Sequence, residues 1–193
     1  MRIHSVLAIL AAAGIATACG GDSVVSPSGN GRLTLMIKDS PYSDAKALLV
    51  TFSDVTAHRS GEGGFTKIPF GENGAQTRTC DLKKLVEAQD VLGVGSLSAG
   101  HYTQVRLVVS SATLYFDEVS TGAPCATMIP LPGGRNASVE IPSGEVRLNR
   151  EFDVEASGAT TMLIDFDGDK SVTEMGNGRF RMTPVIGVVS VSD

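Results

Sequence analysis

The stretch RLTLMIK, residues 32–38, decides the fold of this 193-residue chain. Its apolar residues Leu33, Leu35 and Ile37 alternate with residues that include Thr34 and Lys38. A period of two places successive side chains on opposite faces of a β-strand. The stretch therefore predicts a half-buried strand whose three apolar side chains face the core.

The same period recurs along the chain between turns that contain glycine or proline. The predicted strands cover residues 32–38, 47–58, 65–69, 102–109 with 112–116, 128–131, 138–141, 146–155, 160–166 and 179–191. Changes of parity predict bulges near Ser53-Asp54 and Ser110-Ser111, and Pro184 marks an edge or bulge of the last strand. Only residues 81–89 have a helical spacing.

Eight or nine short strands predict one all-β domain, a single β-sandwich, over residues 32–193. We favour Greek-key connections over a closed barrel, which the pattern also allows.

Composition and charge exclude several classes of protein. The chain has 16 basic and 21 acidic residues, which give a net charge of −5. This acidic balance argues against a nucleic-acid-binding protein, which normally presents a basic patch. No apolar run reaches the roughly 20 residues that a transmembrane helix needs. The recurring apolar strands argue against disorder.

The amino-terminal segment has the pattern of a bacterial lipoprotein signal. Arg2 is followed by 13 uncharged residues, 6–18, which end in Ala16-Thr17-Ala18 directly before Cys19. This run is typical of a signal peptide and is too short to span a bilayer. In such signals the cysteine thiol receives a diacylglycerol and becomes the mature amino terminus, although Ala16 stands where leucine is usual. A plain secretory signal that is cut after Ala18 is the alternative.

The segment also predicts where the domain is located. Residues 1–18 are the predicted signal peptide, and residues 19–31 are the lipidated Cys19 with a tether that is rich in Gly, Ser, Asn and Pro. Two or more acyl chains anchor a protein stably to a membrane. Twelve flexible residues hold the domain roughly 20 Å from the bilayer. Gly20 after the cysteine resembles the Gram-negative signal for the outer membrane, so we expect an extracytoplasmic, lipid-anchored protein.

Several short segments of the sequence occur together in one known family. They are residues 31–35, 38–41, 55–60, 98–107, 141–144, 163–172 and 180–186. In this order they resemble the bacterial and archaeal family catalogued as domain of unknown function 4382, over about residues 31–190. The resemblance implies a sandwich fold in a secreted protein or lipoprotein, and it implies no activity or catalytic residues. The phrase Ala99-Gly100-His101-Tyr102 also resembles turns of transthyretin-like sandwiches.

Two cysteines remain in the mature chain when Cys19 is lipidated. Cys80 and Cys125 lie about 45 residues apart, near predicted strand ends or loops. An even number of cysteines in an oxidising compartment predicts a disulfide. Two buried thiols are the alternative.

The sequence contains no convincing catalytic motif. His58 and His101 lie beside turns, without a G-x-S-x-G elbow or a zinc-ligand spacing. The acidic groups Asp117-Glu118 and Glu151, Asp153 and Glu155 suit a glycosidase in principle. On alternating strand positions such residues more often form a solvated face. We therefore expect that the protein is not an enzyme, and a hydrolase is the lesser alternative.

The strongest cluster of candidate ligands is Asp165, Asp167 and Asp169. The first two project from one face at the end of a predicted strand, about 7 Å apart by the strand rise. Gly168 permits a turn that brings Asp169 back toward them. Carboxylate oxygens clustered in a turn suit Ca²⁺. The alternative is a capped turn in which Lys170, Arg179 or Arg181 and backbone N–H groups offset the charges, and we favour it over a calcium site.

These observations predict a lipid-anchored β-sandwich of the cell envelope whose molecular activity is unknown. We expect a noncatalytic binding or structural module, without a cofactor, whose partners are the membrane and an envelope protein or glycan. A small-ligand or glycan-binding module, assisted by calcium, is the alternative. The aromatic content of 5% and the absence of Trp count against a platform that stacks sugars.

Overall fold

The structure is a computed structural model that describes residues 28–40, 42–71, 74–86 and 88–193. The predicted signal peptide, Cys19 and most of the predicted tether lie outside the described residues. No helix in the described part of the chain is long and apolar enough to cross a bilayer.

The described residues form fourteen strands and two helical turns. The strands are β1 (Asn30–Ser40), β2 (Ala47–Arg59), β3 (Thr66–Lys67), β4 (Arg78–Asp81), β5 (Asp90–Ser98), β6 (Gly100–Tyr115), β7 (Cys125–Ala126), β8 (Asn136–Glu140), β9 (Glu145–Leu148), β10 (Phe152–Val154), β11 (Ala159–Asp167), β12 (Val172–Gly176), β13 (Arg179–Met182) and β14 (Ile186–Ser192). A 3-10 turn covers Leu82–Lys84, and a single α-helical turn, α1, covers Gly168–Ser171.

These strands form two sheets. The smaller sheet has the order β14-β11-β1-β5, in which β1 and β11 run parallel and the other pairs are antiparallel. The larger sheet has the order β12-β13-β8-β6-β2-β4-β7. The long strand β6 pairs with β2 on one edge and with β10, β9 and β8 in succession on the other. The predicted all-β class is confirmed, and neither sheet is closed into a barrel.

The core is built from the inward faces of both sheets. Leu33, Leu35 and Ile37 of β1 are fully buried, as their alternation predicts. The rings of Phe52 in the larger sheet and Phe166 in the smaller sheet meet edge to face at 6.3 Å. Burial of one such side chain contributes about 1.5–3 kcal/mol, so this shared core holds the sheets together.

The two predicted bulges are confirmed. The register between β2 and β6 shifts on both sides of Phe52, and Ser53 has no partner opposite. Across the pair, Thr51 lies opposite Ser111 while Phe52 lies opposite Val109. An extra residue on each strand therefore changes which side chains face inward, as the parity changes indicated.

Strand β5 is absent from the sequence-based prediction because glycines interrupt its pattern. A Cβ atom at Gly93 would lie 3.0 Å from the Pro69 carbonyl oxygen, and one at Gly95 would lie 3.3 Å from the Ile68 Cα. The Val94 amide donates to the same Pro69 oxygen at 2.9 Å. The segment after β3 thus crosses close over β5, and a side chain at Gly93 or Gly95 would force it to move.

Three other local predictions are wrong in part. Residues 128–131 are not a strand, and Met128 and Leu131 are 83% and 75% exposed. The predicted strand 179–191 divides around Pro184 into β13 and β14, which belong to different sheets. The helical spacing of residues 81–89 yields one 3-10 turn and leaves Val86 exposed.

Candidate functional site

The carboxylates of Asp165 and Asp167 lie where the sequence predicts them, at the end of β11 on its outward face. Their neighbour Phe166 is fully buried on the opposite face. Asp165 pairs with Lys38 Nζ at 3.6 Å and accepts a hydrogen bond from Ser40 Oγ at 3.3 Å. The adjacent parallel strand β1 thus supplies both partners, because its register places Lys38 beside Asp165.

Asp167 caps the α1 turn. Its carboxylate accepts from the Lys170 amide at 2.9 Å and from Lys170 Nζ at 2.7 Å. The bond from Nζ and then the bond from the amide hold the pKa of Asp167 below its usual range. The bond from Nζ and the charge of Asp167 raise the pKa of Lys170. Lysine side chains and a backbone N–H group therefore offset the acidic charges, as the capped-turn alternative predicts.

The structure places Asp169 within the α1 turn without completing a metal site. Asp169 lines a shallow groove together with Ser40, Ser43, Asp167 and Lys170. Among the described residues, no group of three or more His, Cys, Asp or Glu side chains is placed to hold a metal ion. Calcium binding by Asp165, Asp167 and Asp169 stays a prediction.

Sequence analysis missed a fourth acid at this end of the fold, Asp39. It has the inward parity of the buried apolar residues of β1, and its side chain is 4% exposed. Oδ1 accepts from the Gly168 amide at 3.1 Å, and Oδ2 has no partner among the described residues. The continued alternation past Ile37 is the signal that reveals its position. We call Asp39, Asp165, Asp167 and Asp169 the acidic end.

Burial makes the carboxyl group of Asp39 an unusually weak acid. Desolvation raises the pKa of its carboxyl to about 8, and the charges of Asp165 and Asp167 act in the same direction. The Gly168 amide and Lys83 oppose this shift. Asp39 is therefore mostly protonated at neutral pH.

The predicted disulfide between Cys80 and Cys125 is confirmed. The two residues lie directly opposite each other in β4 and β7. Arg78 donates to the Cys125 carbonyl oxygen at 3.2 Å, and Asp90 accepts from the Cys125 amide at 3.0 Å. The bridge joins β4 to the edge strand β7, and the Asp90 contact connects this edge of the larger sheet to the beginning of β5.

The other acids considered for catalysis make structural or exposed contacts. Asp117 forms two bonds with the Arg135 guanidinium, at 2.9 and 3.1 Å, and accepts from the Arg135 amide at 2.7 Å. Glu118 accepts from the Gly133 amide at 3.1 Å. These contacts hold the loop after β6 against the beginning of β8.

The remaining acids lie near the other end of the fold. Glu151, Asp153 and Glu155 are exposed. Asp153 Oδ1 lies 2.9 Å from His101 Nδ1, and both side chains are exposed to solvent. In the described part of the chain, no hydroxyl or thiol is hydrogen-bonded to His101.

A second candidate site lies on the outer face of the larger sheet. We call it the outer groove, a shallow depression of about 450 Å³ that is lined by His58, Phe65, Thr103, Gln104, Arg106 and Asn149. The pairing of β2 with β6 brings His58 opposite Gln104. Asn149 follows β9 on the other side of β6. The site therefore assembles from three neighbouring strands and the hairpin that carries Phe65.

Arg106 is the centre of the outer groove. Its guanidinium carbon lies 3.8 Å from the centroid of the Phe65 ring, and its Nε donates to Gln104 Oε1 at 2.7 Å. Gln104 Nε2 donates in turn to Asn149 Oδ1 at 2.6 Å. Stacking on an aromatic ring and a bond to a neighbouring amide fix the plane of the guanidinium.

His58, which also lines the groove, has partners on both ring nitrogens. Nδ1 lies 3.1 Å from Thr103 Oγ1, and Nε2 lies 3.0 Å from the Glu62 carbonyl oxygen. Its ring centroid lies 4.9 Å from that of Phe65. The sequence places His58 beside a turn, and in the structure it is half-buried near the end of β2. The one local signal for this groove is the apolar Phe65 directly after a glycine turn.

Comparison with protein families identifies the relatives of this chain. The family described as "Domain of unknown function (DUF4382)" matches residues 30–184. The chain belongs to the DUF4382 family. The match covers β1 through β13, so the DUF4382 region contains both the acidic end and the outer groove. The resemblance noted in the sequence is thus confirmed.

Further comparisons add no activity to this DUF4382 domain. No curated protein matches the chain. Among solved structures, a leucine-rich repeat protein from Bacteroides thetaiotaomicron VPI-5482 matches at 17% identity with a TM-score of 0.26. The match covers 69% of this chain and 13% of that protein, so this chain spans a small part of the length of the leucine-rich repeat protein.

Proposed function

We propose that this protein is a lipid-anchored, noncatalytic binding module of the bacterial cell envelope, and that the outer groove is its binding surface. One observation carries the proposal: the Arg106 guanidinium is held in a fixed plane by Phe65 and Gln104 on a solvent-facing sheet. An arginine that is oriented in this way before a ligand arrives loses less conformational freedom on binding.

The position of the predicted lipid anchor is compatible with the outer groove as the binding surface. The described chain enters the fold at Gly29 and Asn30, where the Gly29 carbonyl accepts from the Ala99 amide beside the beginning of β6. Gln104 and Arg106 follow a few residues further along β6. A tether from Cys19 would thus join the fold near the beginning of β6 and keep the outer groove within reach of envelope material.

We propose a noncatalytic role because of the contacts that the candidate catalytic groups make. Both ring nitrogens of His58 have partners, and the His101–Asp153 pair lies in open solvent. Hydrolases of the triad type need a histidine that contacts both a nucleophile and a carboxylate. Among the described residues, His58 contacts the Thr103 hydroxyl and a backbone carbonyl, and His101 contacts a carboxylate but no hydroxyl or thiol. A hydrolase remains the lesser alternative.

We also propose the finer architecture, a Greek-key β-sandwich. It is supported by the larger cluster of buried residues, to which both sheets contribute. The chain also alternates between the sheets, since β5, β11 and β14 of the smaller sheet are separated by strands of the larger one.

Capture from the native envelope tests the proposed function. The full-length lipidated protein would be tagged, cross-linked in its own cells and recovered in detergent. We expect Arg106→Ala to lose the captured envelope material. Arg147→Ala is the matched control, because Arg147 lies directly opposite Arg106 on the same face but is paired with Glu145 at 2.6 Å. Equal capture by all three proteins would show that the outer groove is not the binding surface.

A further inference from the structure

We infer that the outer groove binds a carboxylate group of an acidic glycan, which is a sugar chain that contains uronic acids. This inference rests on the proposed binding function and names the class of ligand. It depends on the charge balance around Arg106, the fixed geometry of its guanidinium, and the polar atoms beside it.

Arg106 is a cation whose charge is not balanced by a contacting acid. Three nearby cations each have an acidic partner: Lys67 with Asp54 at 3.4 Å, Arg147 with Glu145 at 2.6 Å, and Arg59 with Glu62 at 3.3 Å. Among the described residues, no carboxylate lies within 4.0 Å of the Arg106 guanidinium.

The pKa of Glu145 is held below its usual range mainly by its bond to Arg147, and Arg106 adds a smaller effect. Glu145 therefore stays ionised and bonded to Arg147. An arginine without a contacting acid is a place where an anion binds favourably, even on a chain whose net charge of −5 opposes anions overall.

The geometry of Arg106 suits a carboxylate in particular. Nε is occupied by Gln104, and Phe65 lies against one face of the guanidinium plane. The two terminal nitrogens have no partner in the described part of the protein. Paired N–H groups in one plane match the two oxygens of a carboxylate, and such charge-assisted bonds are roughly twice as strong as neutral ones.

The groove offers the rest of a sugar polar contacts instead of an aromatic platform. Arg106 covers a face of the Phe65 ring and His58 contacts the same ring, so the ring positions the cation. Asn149 uses its oxygen for Gln104, which leaves its amide N–H groups as donors. Amide and hydroxyl groups beside an arginine match a ligand that carries hydroxyls next to its carboxylate. A uronic acid has this arrangement, and an acidic peptide side chain lacks it.

The test compares an acidic glycan with its neutral counterpart. Titration calorimetry on the full-length protein in detergent would use oligogalacturonate and the same oligomer with its carboxylates methyl-esterified. We expect the acid form to bind and the ester to bind at least about tenfold more weakly. Arg106→Ala should lose about the same factor and Arg106→Lys most of it, because lysine keeps the charge but not the planar pair of donors. Arg147→Ala should stay within about twofold of the wild type.

Each other outcome overturns a defined part of the inference. Equal binding of acid and ester would refute a carboxylate ligand. Equal or tighter binding of a poly-glutamate peptide would refute the glycan and point to an acidic protein. Absence of binding to all three probes would refute the inference as stated. The proposed function would still stand if capture of envelope material depends on Arg106, so the two failures are distinguishable.

Discussion

Replacement of Asp39 by asparagine tests the unusual environment at the acidic end. Asp39→Asn keeps an oxygen to accept from the Gly168 amide and removes the ability to ionise. Oδ2 of the wild-type residue has no partner among the described residues, so the substitution breaks no observed hydrogen bond. We expect the variant to fold and to differ from the wild type mainly in how its stability depends on pH.

The direction of the effect follows from the pKa. In the folded protein the pKa of Asp39 is raised from 3.8 to about 8, so between these values the folded state binds a proton that the unfolded state releases. The wild-type free energy of unfolding therefore falls as the pH rises through this range, and it levels off above the folded pKa. The whole shift corresponds to about 6 kcal/mol. Entry of water beside the ionised carboxylate reduces this energy. We therefore expect the free energy of unfolding of the wild type to fall by about 2–4 kcal/mol over this pH range.

The assay is urea unfolding at fixed pH values from 5 to 9, with the disulfide intact and in the unlipidated Cys19→Ser background. Titration of groups that do not interact with Asp39 cancels in the difference between wild type and Asp39→Asn. We expect the two proteins to converge toward pH 5 and the variant to be more stable at pH 9. A difference that does not change with pH, or a variant that is less stable at pH 9, would refute the reasoning.

Four further predictions follow from single residues. Cys19→Ser should abolish partition into detergent, and mass spectrometry showing an unmodified Cys19 in the wild type would contradict this. Cys80→Ala should lower the free energy of unfolding by up to about 4 kcal/mol through loss of the cross-link, and an unchanged urea midpoint would contradict it. Gly93→Ala should cost about 1–3 kcal/mol because its Cβ meets the Pro69 oxygen at 3.0 Å, measured by the same unfolding. Millimolar Ca²⁺ should leave the melting temperature unchanged and Asp167→Asn should cost at most about 1 kcal/mol, whereas a calcium-dependent rise that the variant abolishes would establish a calcium site.

The acidic end shows how far local pattern can reach toward a site. Alternation along β11 was sufficient to place Asp165 and Asp167 on the outward face, and Gly168 indicated the turn. The same alternation along β1 extends to Asp39 and would have placed it inward. Its contact with Gly168 joins residues that are 129 positions apart, and no local pattern contains that pairing.

What the sequence by itself determined is the set of properties that depend on a few neighbouring residues. Period-two alternation set the inward faces of β1, β2 and β11, changes of parity located both bulges, and the count of cysteines indicated the disulfide. These are local because the side chains of a strand alternate wherever the strand pairs. Only the tertiary structure decided that the chain changes sheets around Pro184, that β5 exists beneath the segment after β3, and that His58, Phe65 and Arg106 meet in one groove. Those features depend on which strands become neighbours, and the energy that selects the neighbours comes from a core shared by both sheets and not from any one segment.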